Sequence, residues 1–250
     1  MQLDFHNKVA IVTGGARGIG ASTAEAFYQA GAKVALLDID GEACQERAIK
    51  IDPSGSNVAA YEVDITEYDK VQNAVDKILA IFGRIDVLVN NAGILHHVPI
   101  EEKTVADFEK VIKVNLTGAF IMCKAIVPVM KKQGCGKIVN ISTLGARTGR
   151  PGVAADYAGS KAGMIGITRS LAKELGPSGI YVNAIAPGPI LTELTKQVSK
   201  ELFATWNVGR VINKDGLPED VANAVLFLSS PMSDWITGVT LDVNGGLFIP

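Results

Sequence analysis

Cysteine is scarce in these 250 residues, and the three present, Cys44, Cys123 and Cys135, are odd in number and scattered. They offer neither a disulfide framework nor metal-ligand spacing, and they point to a reduced, cytosolic protein whose thiols pack as small hydrophobes. Histidine is equally sparse. His96 and His97 follow a strand-like run and can line a substrate mouth, but neighbours in sequence do not share a helix face and no carboxylate completes a set, so no metal is expected. An excess of one charge is missing too: 24 basic residues face 26 acidic ones, with no long run of either sign. That balance excludes nucleic acid and anionic membranes as expected partners. No uninterrupted apolar run reaches the roughly 20 residues that cross a bilayer, and the opening Met1-Gln2-Leu3-Asp4-Phe5-His6 lacks the basic-then-apolar pattern of a signal peptide. Repeats, low-complexity stretches and linkers are absent as well, so one domain is expected over 1–250.

What is present is apolar material, 48% of the chain, arranged with a clear rhythm. Short strand-like runs at Lys8 to Thr13, Lys33 to Leu37, Asn57 to Val63, Ile85 to Asn90, Gly136 to Ile141, Gly179 to Ile185 and Val239 to Val243 alternate with helix-period segments such as Gly20 to Ala30, Glu67 to Phe82 and Ala158 to Leu175. Several runs are apolar without alternation, as strands covered on both faces require. The order predicts an α/β fold: a single doubly wound domain with a parallel seven-stranded sheet and helices on both faces. In such sheets ligands gather beyond the carboxyl ends of the strands.

The residues that follow each strand therefore carry the functional reading. After the first stands Thr13-Gly14-Gly15-Ala16-Arg17-Gly18-Ile19-Gly20, where glycines permit a tight turn and close approach of a pyrophosphate to a helix N-terminus. A turn kept only for helix-on-strand packing is the alternative. After the second stands Asp38, eighteen positions beyond Gly20, placed to bond the ribose hydroxyls of NAD and to repel the 2′-phosphate of NADP. Arg17 pulls the other way; the carboxylate nearest the ribose should dominate while the arginine turns to solvent, so NAD is expected over NADP. Asp38 can also be read as a helix cap before Gly41-Glu42. Asp64-Ile65 after the third strand suits an adenine amino group, unless Thr66 marks a plain cap. Asn90-Asn91-Ala92-Gly93 after the fourth suits a wall against a flat cofactor, although such turns are also ordinary loop chemistry. Ser142-Thr143 after the fifth places hydroxyls at the cleft, and a lone serine there is more often a cap.

Tyr157 and Lys161 stand four residues apart, so in a helix they share a face. A cation beside a phenol, whose reference pKa is about 10, favours the phenolate and makes the group a usable acid or base.

Together these residues resemble the short-chain dehydrogenase/reductase family, in its order and over nearly the whole chain: Thr13-Gly14-x-x-x-Gly18-x-Gly20, Asn90-Asn91-Ala92-Gly93, Asn115, Ser142, Tyr157/Lys161, Pro187-Gly188 with Thr192, and Asp242-Val243-Asn244-Gly245-Gly246. The resemblance implies a Rossmann domain that transfers hydride between a nicotinamide cofactor and a secondary alcohol or ketone. It gives Tyr157 the acid/base role, Lys161 the tuning of that phenol and the nicotinamide ribose, Ser142 the substrate oxygen and Asn115 a relay water. It places the nicotinamide carboxamide against Ile190 and Thr192, and the adenine against Asp64 and Ile65. Without it, Asn115 reads equally as a buried amide satisfied by backbone. The rivals are an NADPH-dependent 3-oxoacyl-thioester reductase and, against the intact set, a non-catalytic dinucleotide-binding scaffold. Family members assemble as homotetramers through helices at Thr117 to Lys132 and Tyr157 to Leu175 and through the last strand. The small residues Ala158, Gly159, Ala162, Gly163 and Gly166 fit such a contact.

The substrate side is less constrained. Leu191, Leu194, Val198, Leu202 and Trp206 recur at three-to-four spacing and predict an amphipathic helix, a lid over about 188–213 or simply a packed helix. Arg147 and Arg150 are placed to meet an anionic group. Lys131, Lys132, Arg169 and Lys173 are placed to meet an acyl carrier protein, although such charges are also ordinary helix exteriors.

Overall fold

Seven parallel strands form one sheet in the order β3-β2-β1-β4-β5-β6-β7 in this computed structural model, which describes residues 3–149, 153–193 and 195–250. The strands are β1 (Val9–Thr13), β2 (Lys33–Asp38), β3 (Val58–Glu62), β4 (Val87–Asn90), β5 (Gly136–Ile141), β6 (Ile180–Pro187) and β7 (Thr240–Val243). Each coincides with an expected run. All five residues of β1 and all four of β4 are buried, because helices cover both faces of the sheet there.

The helices are α1 (Gly18–Gln29), α2 (Gly41–Ile51), α3 (Tyr68–Phe82), α4 (Val105–Ile112), α5 (Gly118–Gln133), the short α6 (Gly145–Thr148), α7 (Ala155–Leu175), α8 (Lys200–Trp206) and α9 (Pro218–Ser229). Alternate side chains of β1 separate the two cores. Ala10 and Val12 join Phe27 of α1, Ala48 of α2 and Val225 of α9. Val9 and Ile11 join Ile78 of α3, Ile126 of α5 and Leu175 of α7 on the opposite face. Each right-handed crossover returns the chain to the same end, so the loops after β1, β4, β5 and β6 converge at one rim. The order reverses between β1 and β4, and the cleft opens there.

Two elements depart from the sequence pattern. Between α4 and α5 the chain makes one π-helical turn, Lys113–Thr117, that holds Asn115. The helical run Val105–Gln133 is thereby long and apolar enough to cross a bilayer by length and composition (mean hydropathy 1.5), but half of the apolar window is buried inside this fold. The expected lid helix is not continuous. Among the described residues of the stripe, Thr195–Gln197 is a single 3-10 turn, the chain breaks at Val198 and Ser199, and α8 starts only at Lys200. Ser199 ends the periodicity physically, because its hydroxyl accepts from the backbone N–H of Leu202 and caps a new helix. Leu191 is exposed and Trp206 buried, so the stripe has no single apolar face, and Leu194 lies outside the described residues.

Candidate active site

The glycine turn comes first in chain order. Gly14 and Gly18 adopt φ of 63° and 54°, which glycine reaches without Cβ strain. A Cβ on Gly20 would stand 2.0 Å from the Gly14 carbonyl oxygen, so part of the glycine requirement is packing of the chain on itself. The rest faces the cleft. Helix α1 begins with no side-chain cap and no acidic residue in its first turn, so its first N–H groups remain available to an anion. Thr13 and Asn91 clasp the turns after β1 and β4. The Thr13 hydroxyl accepts from the N–H groups of Asn91 and Ala92, both at 3.0 Å, and the Asn91 amide donates to the Thr13 carbonyl at 2.9 Å.

These turns border a cleft of about 700 Å³, lined by Gly14, Arg17, Gly18, Ile19, Asp38, Asp64, Ile65, Ala92 and Thr192 among others. Asp38 ends β2 and does not cap α2. Its carboxylate accepts from the N–H of Ala16 at 3.1 Å and from that of Asp40 at 3.1 Å. Asp40 is the cap, accepting from Ala43. Arg17 is exposed, as expected, and its guanidinium is paired there with Asp40. The two acids thus divide the work: Asp38 faces the cleft, and Asp40 neutralises the nearest cation. Asp64 is likewise no helix cap. It closes a turn on the N–H of Thr66, and α3 starts four residues beyond Asp64. The glycine cradle, the uncapped α1 and an acid at the end of β2 fit a dinucleotide.

A second cavity of about 150 Å³ continues from the first through shared walls at Ile19, Asn91, Gly93 and Thr192. Ser142, Tyr157 and Lys161 all line it, together with Pro187, Gly188, Ile190 and Thr143. Helix α7 carries Tyr157 in its first turn and Lys161 one turn on. The Lys161 ammonium is buried, donates to the Ile141 carbonyl at 2.8 Å and lies 5.9 Å from the Tyr157 ring centroid. Burial pulls it down to about 8. Burial also pushes the Tyr157 phenol up to about 12, and its hydrogen bond with Thr143 opposes that only in part. Burial thus dominates at both groups in this geometry. Desolvation outweighs a cation that is directed at a backbone carbonyl.

Ser142 donates its hydroxyl to the Lys161 carbonyl at 2.8 Å, so donation to a substrate oxygen requires that O–H to rotate. Asn115 is fully buried. Its carbonyl accepts from the N–H of Ile94 at 2.7 Å, and its amide donates to the Ile94 carbonyl and to Ser160. The plain reading of Asn115 as a backbone-satisfied amide thus describes its contacts. It also borders the site, since a Cβ on Gly93 would lie 3.1 Å from its Oδ1 and 3.3 Å from Lys161 Nζ. Thr192 shares hydrogen bonds with Thr195, whose hydroxyl donates to the Ile190 carbonyl at 2.7 Å.

Several wall residues were not singled out by the sequence. Leu95, Leu144 and Val153 make the second cavity apolar, and Trp206 closes over His97 with ring centroids 5.5 Å apart. In the sequence His97 and Trp206 read as substrate mouth and lid stripe, and Thr143 as a hydroxyl at the cleft, whereas the three apolar wall residues give no signal. His96 stands outside the cavity wall and is exposed, and no cluster of metal-ligating residues occurs among the described residues. Arg147 is unavailable to an anion. It pairs with Asp242 at 3.1 Å and lies over the Phe248 ring, while Arg150 falls outside the described residues. Lys131, Lys132, Arg169 and Lys173 are exposed but sit toward the far ends of α5 and α7. Lys173 is sixteen residues along α7 from Tyr157, roughly 24 Å at 1.5 Å per residue.

A family profile described as enoyl-(acyl carrier protein) reductase matches residues 14–248. The chain is 41% identical to a 3-oxoacyl-[acyl-carrier-protein] reductase of Chlamydia trachomatis over 96% of its length and 97% of the relative's. It is 40% identical to the protein of that name from Thermotoga maritima over 98% and 99%. Among solved structures, a 3-ketoacyl-(acyl-carrier-protein) reductase of Brucella melitensis complexed with NADH superposes with a TM-score of 0.92 at 34% identity, covering 98% of this chain and all of that one. With its glycine turn, its Ser142, Tyr157 and Lys161 and these matches over nearly its full length, the chain belongs to the short-chain dehydrogenase/reductase family of oxidoreductases.

Proposed function

We propose that this protein interconverts a ketone and a secondary alcohol with NAD(H), and that the ketone is a 3-oxoacyl thioester. The observation that carries the reaction class is the meeting of Ser142, Tyr157 and Lys161 on one apolar-walled cavity that opens into the glycine-turn cleft. The thioester is favoured over an unspecified small alcohol by the relatives at about 40% identity, which are named for that substrate. NADH is favoured over NADPH by Asp38 at the end of β2 and by Asp40, which occupies the one cation of the glycine turn.

The nicotinamide, when bound, supplies the hydride in reduction and accepts it in oxidation. Tyr157 delivers a proton to the carbonyl oxygen; its raised pKa keeps it protonated at neutral pH and makes reduction the direction for which it is already in the right state. Ser142, once rotated, donates a hydrogen bond to the same oxygen. Lys161 places a positive charge on the phenol's side of the pocket, which favours the phenolate that proton transfer leaves behind. Asp64 and Ile65 seat the adenine, and Ile190 and Thr192 border the carboxamide. Trp206 and His97 exclude water from the inner cavity.

The test compares initial rates with NADH and NADPH, using acetoacetyl-coenzyme A and a neutral cyclic ketone. Faster turnover of the thioester with NADH is expected. Preference for NADPH overturns the cofactor reading, and turnover of the cyclic ketone alone overturns the substrate.

We further infer a homotetramer, in line with the family. Gly159 and Gly166 have open space where a Cβ would stand, and Phe120 on α5 is half exposed, which suits close approach of second copies. Gly163 is not part of that face, because Leu116 of the same chain packs against it. A sedimentation mass of one subunit rejects the assembly.

A further inference from the structure

We propose that Lys103 and Asp156 are a positioning pair that locks the substrate loop after β4 to the backbone of Tyr157. Neither residue lines the cavity, yet the pair is the link between two elements that do. Asp156 is wholly buried in the first turn of α7. One of its carboxylate oxygens accepts from the N–H of Tyr157 at 2.7 Å, and the other accepts from the Lys103 ammonium at 2.8 Å. That ammonium, on a side chain only 5% exposed, also donates to the His96 carbonyl at 2.7 Å. His97, the next residue, packs against Trp206 in the cavity wall. A continuous path therefore runs from the wall through His96, Lys103 and Asp156 to the main chain of Tyr157.

The chemistry argues for geometry over stability. Removing two charges from water costs about as much as their attraction returns, so a buried ion pair is weak support for a fold and is best explained by what it orients. Here the ammonium has partners in two segments, His96 and Asp156, and the carboxylate divides its two oxygens between Lys103 and the N–H of Tyr157. Lys103 sits in the turn that enters α4, its own N–H donating to the Pro99 carbonyl at 3.0 Å, so its side chain starts from a fixed base. The consequence is that the tyrosine and the loop over the substrate move as one body. Misplacement of a reacting group by about 1 Å can cost on the order of a hundredfold in rate.

The proposal rests on the reading of Tyr157 as the acid/base, and its test is separable from that reading. Lys103→Met alone leaves a buried carboxylate uncompensated and risks unfolding. The informative variant is therefore the charge-free pair Lys103→Met with Asp156→Asn, in which the asparagine oxygen still accepts from Tyr157 while the tie to His96 is gone. Backbone hydrogen exchange and steady-state kinetics are measured on wild type and double variant. Exchange over 92–98 and 153–158 should accelerate together about tenfold or more with the sheet unchanged. In parallel, kcat/KM for the carbonyl substrate should fall by about ten- to a hundredfold with the KM for NADH unchanged. Unchanged exchange in either segment overturns the tie whatever the kinetics do. Faster exchange with unchanged kcat/KM overturns its role in the reaction, as does an equal loss in the KM for NADH. A wild type that turns over no ketone refutes the functional reading, and the exchange data still decide the tie.

Discussion

At the scale of single residues, the site is a balance between burial and charge. Tyr157 has its pKa raised to about 12 by burial, and Lys161, lowered to about 8, keeps its ammonium on the Ile141 carbonyl. A phenol in that state is a weak acid but is held protonated at neutral pH, so it is present as a donor and accepts a proton only when ionised. Reduction should therefore be flat up to about pH 8 and decline above it as Lys161 loses its charge, whereas oxidation of the alcohol should climb with pH as the phenol ionises, and rate profiles in both directions check this. Tyr157→Phe should lower turnover by a factor of about a thousand, within the range of general acid/base catalysis, while a fluorescence titration with NADH gives a Kd close to that of wild type. A second residue-scale prediction concerns Asp40. Asp40→Asn should release Arg17 toward the ribose and narrow the preference for NADH over NADPH by roughly threefold, a modest change because the pair is exposed and screened by solvent. The ratio of kcat/KM for the two nucleotides measures it. Asp38 was legible in the sequence because its distance from the glycine turn is fixed by one crossover helix. Asp40 was not: the cap before Gly41-Glu42 reads as a second possibility for Asp38, and Asp40 is the residue that makes it.

At the scale of elements, legibility depended on whether periodicity and local capping agreed. In α7 no capping residue interrupts the period, and Tyr157 and Lys161 fell on one face as the four-residue spacing required. Between Leu191 and Trp206 periodicity and capping conflicted. The three-to-four spacing ran straight through Ser199, yet Ser199-Lys200-Glu201 is itself a helix start, with a capping hydroxyl and an acid in the first turn. The π-helical turn around Asn115 left no pattern at all, because an extra residue in one turn shifts phase without changing composition. The broken lid has a consequence. Among the described residues of the stripe after Leu191, Trp206 at the end of α8 is the one that lines the inner cavity, where its ring is set against His97. Trp206→Ala should raise the KM for the ketone about tenfold, roughly 1.4 kcal/mol or near the lower end of what burying an aromatic contributes, and leave the Kd for NADH unchanged. A matching loss of NADH affinity in a binding titration would show that the helix supports the whole cleft.

At the scale of the molecule, the sheet was readable because seven buried strands had to be apolar on both faces and because crossovers of one hand leave few orders to choose from. The cost of the site to the whole fold was not readable, since it depends on how deeply Lys161 is buried. With its pKa at about 8 against an ordinary 10.5, Lys161 is protonated in both states below pH 8, and there its burial opposes folding. Between about 8 and 10.5 the unfolded chain binds the proton and the folded one does not, so this group's contribution to stability rises with pH and is complete above 10.5. The thiols of Cys44 and Cys123, pushed up to about 11 and about 12, act in the opposite sense once the unfolded thiols begin to ionise near 9. The variant Lys161→Met isolates the lysine. The shift corresponds to roughly 3 kcal/mol at neutral pH, and loss of the bond to Ile141 removes about 1 kcal/mol of that. The inactive variant should therefore be more stable than wild type by about 2 kcal/mol at pH 7, with the advantage gone by pH 10.5, as read from urea unfolding at the two pH values. Equal stability at pH 7 would mean that the ammonium is better solvated than its burial implies.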